Sequence, residues 1–414
     1  MQASHDTTPA TQASQRPWRT RIHAGALLAL AVLAGCGGGG GDPANAIPPA
    51  ASVGSFALGP ITGYGSIVVN GVHFDERSAS VTDDDGLSHS SSALKMGMVV
   101  EVQASAIDQS TQRATAQSVR FGAEISGPVG TVDLAASTFT VLGQTVSVST
   151  STVFDDSLTG GLAGLTAGTL VEVHAQLNAA TSQYQATRIE AQGGATRFKL
   201  RGTVSALDTT AKTFSIGTAV ISYAGIATAD LPATFADGLK VRVKLSTTQV
   251  NGQWVATSVR SGVRKLEDHS DAHLRGSVSA MTSSTLFSVD GVPVDATAAQ
   301  WPDGTAGLVV GAHVEVEGTV SNGVLMASKV ELEDTHGAND DRHKPEFSGT
   351  VSALDIAAKT FQVQGRSETI SYAAAVTYKN GTEADLANGA SVEVKGRLSA
   401  DGRTVTASRI EFKR

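Results

Sequence analysis

The chain has 414 residues, with 31 basic and 39 acidic side chains, a formal charge of −8, 5% aromatics and a single cysteine. An acidic surface repels phosphate backbones and sets nucleic acid aside as a partner. A lone cysteine rules out any disulfide within the chain, so stability has to come from apolar cores.

The first 22 residues are polar and carry Arg16, Arg19 and Arg21 against the single acid Asp6, and an apolar run of about a dozen residues follows through Ala34. A basic region, a short apolar stretch and small residues before a cut site make a secretory signal, too short to span a membrane. The tetrad Leu33-Ala34-Gly35-Cys36 resembles the bacterial lipobox. The resemblance implies a lipoprotein signal peptide over 1–35, cleavage before Cys36 and lipidation of Cys36 by several acyl chains, including palmitate-type chains, enough for a durable anchor. Gly37 rather than aspartate after the cysteine implies an outer-membrane lipoprotein facing the periplasm or the cell surface. Cleavage removes three arginines and one aspartate and leaves a charge of −10. Residues 36–53, rich in glycine and then proline, read as a lipidated tether, flexible first and extended after.

A repeat then fills the rest of the chain. Ser126–Val141, Arg201–Ile216 and Ser348–Val363 share the pattern Gly-x-Val followed by Phe-x-Val, Gly276-Ser277-Val278 opens another copy, and Gly59-Pro60-Ile61 begins the first. About 40 residues on, each copy has a glycine ending LKMG, LTAG, FADG, LVVG or LANG. Triplets follow at Val100-Glu101-Val102, Val171-Glu172-Val173, Val241-Arg242-Val243, Val314-Glu315-Val316 and Val392-Glu393-Val394. AQSVR, ATRIE, ATSVR, ASKVE and ASRIE close the copies, starting at Ala116, Ala186, Ala256, Ala327 and Ala407. Apolar and polar residues alternate with period two, as on a half-buried strand. The recurring glycine reads as a turn position of left-handed conformation. Pairs such as Asn70-Gly71, Asn251-Gly252, Asp290-Gly291, Asn322-Gly323 and Asp401-Gly402 read as tight hairpin turns.

The expected fold is all-β: a tandem array of five small OB-like barrels, or small sandwiches, since so short a unit must close to hide its edges. The modules are expected at 54–124, 125–195, 196–264, 273–333 and 346–414, with a charged linker at 265–272 and a His/Asp-rich linker at 334–345. So small a unit has a marginal core, and the copies are expected to pack on neighbours or hang as tethered beads. The series of landmarks resembles domain of unknown function 5666, a family found in repeated copies in bacterial exported proteins and lipoproteins. The resemblance covers nearly all of 54–413, with GYGSIVVNG in the first copy departing most, and it carries no catalytic residues with it.

Chemistry is sparse. Gly-x-Ser-x-Gly, Walker and His-Glu-x-x-His motifs are absent. Ser92-x-x-Lys95 overlaps the repeat's own Leu94 and has no accompanying motif. Asp83-Asp84-Asp85-Gly86 resembles part of a calcium loop but lacks the later glutamate, and reads as an Asp-rich turn. The Val-x-Val glutamates read as outward-facing strand positions, and Trp254 and Trp301 as caps on small cores rather than sugar platforms. His269, His273, His336 and His343, with Asp268, Asp334 and Asp341, lie in the two linkers. Imidazole plus carboxylate is a ligand set for zinc or copper, and the competing reading is a solvated linker. His269 and His273, four apart, share a face on a helix, and a helix there is not expected. No other cofactor is expected. The leading expectation is a non-enzymatic, lipid-anchored binding or structural protein of the cell envelope, whose partner is an envelope protein or polysaccharide. The alternative is periplasmic divalent-metal binding through the linkers, and oligosaccharide binding on barrel faces is a third reading.

Overall fold

The computed structural model describes residues 54–178, 180–262, 266, 268–332, 345–364, 366, 368–399 and 403–413. The segments read from the sequence as a signal peptide and tether, with Cys36, and the residues His336, His343, Asp334 and Asp341 lie outside the described residues.

Among the described residues, thirty strands build five barrels. Barrel 1 holds β1 (Ser55–Tyr64), β2 (Ile67–Val69), β3 (Val72–Asp75), β4 (Ser80–Asp83), β5 (Ser88–His89), β6 (Val99–Ala104) and β7 (Arg113–Phe121). Barrel 2 holds β8 (Ile125–Asp133), β9 (Thr138–Val141), β10 (Gln144–Ser147), β11 (Val153–Phe154), β12 (Leu170–Asn178) and β13 (Gln183–Ala191). Barrel 3 holds β14 (Phe198–Thr203), β15 (Ser205–Asp208), β16 (Thr213–Ile216), β17 (Ala219–Ser222), β18 (Lys240–Leu245) and β19 (Trp254–Ser261). Barrel 4 holds β20 (His269–Met281), β21 (Leu286–Val289), β22 (Val292–Asp295), β23 (His313–Ser321) and β24 (Val324–Leu332). Barrel 5 holds β25 (Glu346–Asp355), β26 (Thr360–Val363), β27 (Thr369–Ser371), β28 (Thr377–Lys379), β29 (Ser391–Leu398) and β30 (Thr404–Phe412).

Each barrel closes in one way. In barrel 2 the meander β8–β9–β10 is antiparallel, β10 runs parallel to β13, β13 pairs antiparallel with β12, and β12 returns to β8. The same parallel closure joins β3 to β7, β17 to β19, β22 to β24 and β27 to β30. This is the OB-type Greek-key order. Among the described residues the only helical pieces are short 3-10 turns just before the recurring glycine.

The landmarks now have physical reasons. Gly97, Gly168, Gly238, Gly311 and Gly389 all have φ between +81° and +94°, which an L side chain rarely adopts. Each ends the turn that leads into the Val-x-Val strand. The spacing Ala-x-x-Val is odd, so a regular strand would place one of the two outside. A β-bulge in every barrel corrects this: Ala175 pairs with Ala186 while His174 pairs with Arg188, which leaves Thr187 as the extra residue. Thr187, Thr257, Ser328 and Ser408 hold the equivalent bulge position and donate their hydroxyls to His174 O, Lys244 O, Glu317 O and Lys395 O at 3.1–3.3 Å. A bulge adds one residue and re-aims the chain, and the hydroxyl satisfies the carbonyl beside it. Both Ala186 and Ile189 are therefore buried.

Phe139, Phe214, Phe287 and Phe361 fill the barrel centres, facing Val146, Ile221, Val294 and Ile370 across the second hairpin of each meander. Barrel 1 reverses the pair, with Ile67 opposite Phe74. The departure of its sequence is a swap of large and small across one rung. Trp254 packs edge-on against Phe198 at 5.7 Å, and Trp301 lies 6.2 Å from Phe287, both as caps on cores.

The barrels are not beads. β1 runs parallel to β20 over Ser55–Leu58 and parallel to β25 at Gly63-Tyr64, so barrel 1 shares a sheet with barrels 4 and 5. β8 pairs with β14 and joins barrel 2 to barrel 3, whose cores merge into one cluster. Being paired on both edges explains why β1 is buried along nearly its whole length. The GYG of the first copy is the contact with barrel 5: a Cβ on Gly63 would lie 2.8 Å from Glu346 O, and one on Gly65 2.6 Å from Ser348 Cβ. Arg366 lies over the Tyr64 ring, 3.4 Å from its centroid.

Candidate functional site

Polar side chains collect at the seams between barrels. On barrel 3, Arg201 stands directly opposite Arg242 and Lys199 opposite Lys244. Like charges facing across a strand pair are destabilising. The Asp-rich turn of barrel 1 lies against this basic face and neutralises it. Asp84 Oδ1 is 2.9 Å from Lys199 Nζ, Asp84 Oδ2 is 2.8 Å from Arg242 Nη1, and Asp85 Oδ1 is 2.7 Å from Lys244 Nζ. Burial alone would raise the Asp84 carboxyl, but Lys199 and Arg242 outweigh it and hold the group below its ordinary range. The turn expected from Asp83-Asp84-Asp85-Gly86 is present, and it serves as an inter-barrel clasp.

The Val-x-Val glutamates lie on the outer faces of their strands, as the period-two alternation predicts, yet Glu315 and Glu393 are buried there. They point away from their own barrel's core but are covered or paired: Glu393 meets Arg409 at 3.2 Å and Lys413 at 2.7 Å, and Glu101 meets Arg120 at 2.8 Å. Arg242 breaks the glutamate pattern because its partner is the Asp84 turn.

At the seam of barrels 1 and 5, Glu346 lies 3.3 Å from His73 Nε2 and 3.0 Å from Lys395 Nζ. In barrel 2, Arg188 bonds Glu190 at 2.8 Å and donates to Met96 O of barrel 1 at 3.2 Å. Burial pushes the Glu190 carboxyl up, but His174 and Arg188 pull it down further, to about 2. A carboxylate held below its unfolded value of 4.5 stabilises the fold above that pH, and the contribution is lost as pH falls toward 2. The shift corresponds to on the order of 3 kcal/mol, and Asp84 and Glu393 act in the same sense. Urea midpoints should stay flat down to about pH 4.5 and then drop steeply toward pH 2.5. An unchanged midpoint across that lower interval would contradict the assignment.

Of the sequence-derived metal residues, His269, His273 and Asp268 are described, and they do not form one cluster. His269 and His273 are not in a linker: residues 269–272 already belong to β20. A bulge between His269 and Ala272 puts the two histidines on opposite faces. His269 lies toward the barrel 4 core, stacked on Phe56 at 5.6 Å, with Nδ1 donating to Gly54 O at 3.3 Å. Asp268 accepts from Asn322 N at 2.6 Å. His273 points to the outer face, where Glu317 stands directly opposite on β23 and Glu315 one rung diagonal. One ring nitrogen of His273 and one carboxylate oxygen each from Glu315 and Glu317 lie within 4.8 Å of one another. The available signal for the glutamates was Glu-x-Glu at period two in Val314–Glu317, which places both on one face.

A search of curated proteins finds no match to the chain. Among solved structures, Drosophila Unr CSD456 is similar at 16% identity over 47% of this chain and 85% of that chain, with a TM-score of 0.16. A superposition that poor carries no inference about this chain. The family model described as Domain of unknown function (DUF5666) matches residues 59–116, 126–190, 275–331 and 348–411. Barrel 3 falls outside the matched segments yet closes in the same strand order, and it is the barrel whose Val-x-Val position carries arginine. With four matched repeats spread over more than half of its length, the chain belongs to the DUF5666 family.

Proposed function

We propose that this chain is a lipid-anchored cell-envelope protein whose five barrels act as one rigid, non-enzymatic binding or scaffolding body. The observation that carries the reading is the fusion of the barrels through shared strands and charged seams. Beads on a string would present five independent small faces, whereas a fused body presents a broad surface of fixed shape. Among the described residues, Asp84, Arg188 and Glu346 each spend their charge on a contact with another barrel. The lipobox and tether supply the anchor, and an envelope protein or polysaccharide is the partner in keeping with an acidic, exported surface.

Small-angle scattering of the mature protein should give one compact particle, and crosslinking in cells should capture an envelope component on it. Transfer or hydrolysis on an envelope substrate panel, lost on a point mutation, would overturn the non-enzymatic reading. The anchor has its own test. Cys36→Ser should abolish incorporation of labelled palmitate and leave the protein out of the membrane fraction. Wild-type protein without an acyl chain by mass spectrometry would sink the outer-membrane assignment.

A further inference from the structure

We infer that barrel 4 carries a divalent transition-metal site, of zinc-binding character, formed by His273 on β20 with Glu315 and Glu317 on β23. The inference is independent of the envelope reading, since it rests on one face of one strand pair. The three side chains lie on adjoining rungs of an antiparallel ladder, where neighbouring side chains interact directly. Their candidate ligand atoms lie within 4.8 Å of one another. Ligands bound at about 2.1 Å to one zinc ion can be at most about 4.2 Å apart, so small side-chain rotations close the set.

The second observation is the state of the imidazole. His273 is 5% exposed, and its Nδ1 has no hydrogen-bond partner. A buried polar atom without a partner costs stability unless something fills the gap. Its other nitrogen, Nε2, lies 3.2 Å from Asp271 Oδ1, and Asp271 is in turn held by Gln109 Nε2 of barrel 1 at 3.0 Å. A carboxylate that accepts from one ring N–H fixes the tautomer and leaves the opposite nitrogen as a lone-pair donor, the usual support of a metal-bound histidine. Glu315 is 8% exposed and the half-buried Glu317 follows it on the same face of β23, so two carboxylates and one imidazole share this stretch of the ladder. Glu317 now bonds Lys329 Nζ at 3.2 Å, and Lys329 keeps Glu331 at 3.1 Å, so the lysine retains a partner when Glu317 turns to a metal. The bulge beside Glu317 sets the aim of that side chain.

The site sits where barrels meet. Asn70 of barrel 1 donates to His273 O at 3.0 Å, and Gln176 of barrel 2 donates to Arg275 O at 3.3 Å. An ion there would stiffen the junction of barrels 1, 2 and 4.

Equilibrium dialysis of the full mature protein against Zn²⁺ tests this, with Co²⁺ absorption as a probe of nitrogen and oxygen coordination. One tightly bound Zn²⁺ is expected, weakened at least about tenfold in His273→Ala, Glu315→Gln and Glu317→Gln. The double variant His336→Ala/His343→Ala should bind as the wild type does. Where circular dichroism shows that His273→Ala does not fold, the two glutamine variants decide, since they keep the side-chain shape. No binding by the wild type, full affinity in the glutamate variants, or loss of binding in the His336/His343 variant would each overturn the assignment.

Discussion

Asp84→Ala should lower the stability of the folded chain by about 3–5 kcal/mol, the cost of stranding buried charges after one partner is removed. Three cations surround that carboxylate, Lys199, Arg201 and Arg242, each with a side chain less than a fifth exposed. Without Asp84 they are left as a like-charged cluster in which Arg201 faces Arg242 across the strands. The loss should appear as a lower thermal midpoint and as protease sensitivity at the seam of barrels 1 and 3, with the barrels themselves still folded. Arg242→Glu is the sharper variant. It gives barrel 3 the glutamate that the other four copies carry, so a repeat-consensus argument expects stabilisation. The seam expects the opposite, because a glutamate there would face Asp84 and Asp85. A midpoint equal to or above that of the wild type would show that the clasp does not hold the barrels together.

Phe361→Ala should cost about 3–5 kcal/mol through lost burial and the cavity left behind. The ring is 0% exposed in the centre of barrel 5, 6.0 Å from Tyr372 and opposite Ile370. Phe139→Ala and Phe214→Ala should cost similar amounts, since both rings hold the same place in barrels 2 and 3. In barrel 1 the equivalent loss should follow Phe74→Ala and not substitution of Ile67, because the pair is reversed there. Hydrogen exchange measured barrel by barrel would report where each loss falls. Since barrels 2 and 3 share one core, Phe139→Ala should lower protection in both. A loss confined to barrel 2 would contradict that sharing.

Local landmarks were legible because they answer local needs. The recurring glycine has positive φ, the Asn-Gly and Asp-Gly pairs at residues 70–71, 290–291 and 322–323 turn hairpins, and the Phe-x-Val strand alternates inward and outward. Each depends on neighbours within a few positions, and five repetitions made them unmistakable. The Ala-x-x-Val spacing was visible too, but the bulge that explains it needs the partner strand.

The candidate site was legible only in part. His273 stood out as a histidine among acids, while Glu315 was absorbed into the repeat as an ordinary strand position and Glu317 was passed over. Sequence proximity suggested that His269 would accompany His273, and the bulge in β20 separated them. A one-residue change of register moves a side chain to the other face, and nothing in the local sequence announces it.

The sequence by itself determined the module: an all-β barrel repeated five times, each with its own apolar interior. Period-two patterning and turn residues act over short range, so they can be read without knowing what lies across the chain. Only the tertiary structure decided how the barrels join, that β1 pairs with both β20 and β25, and that Arg242 answers Asp84 from 158 residues away. Those choices depend on which charged and glycine-rich surfaces meet, and such pairings leave no periodic trace in the sequence.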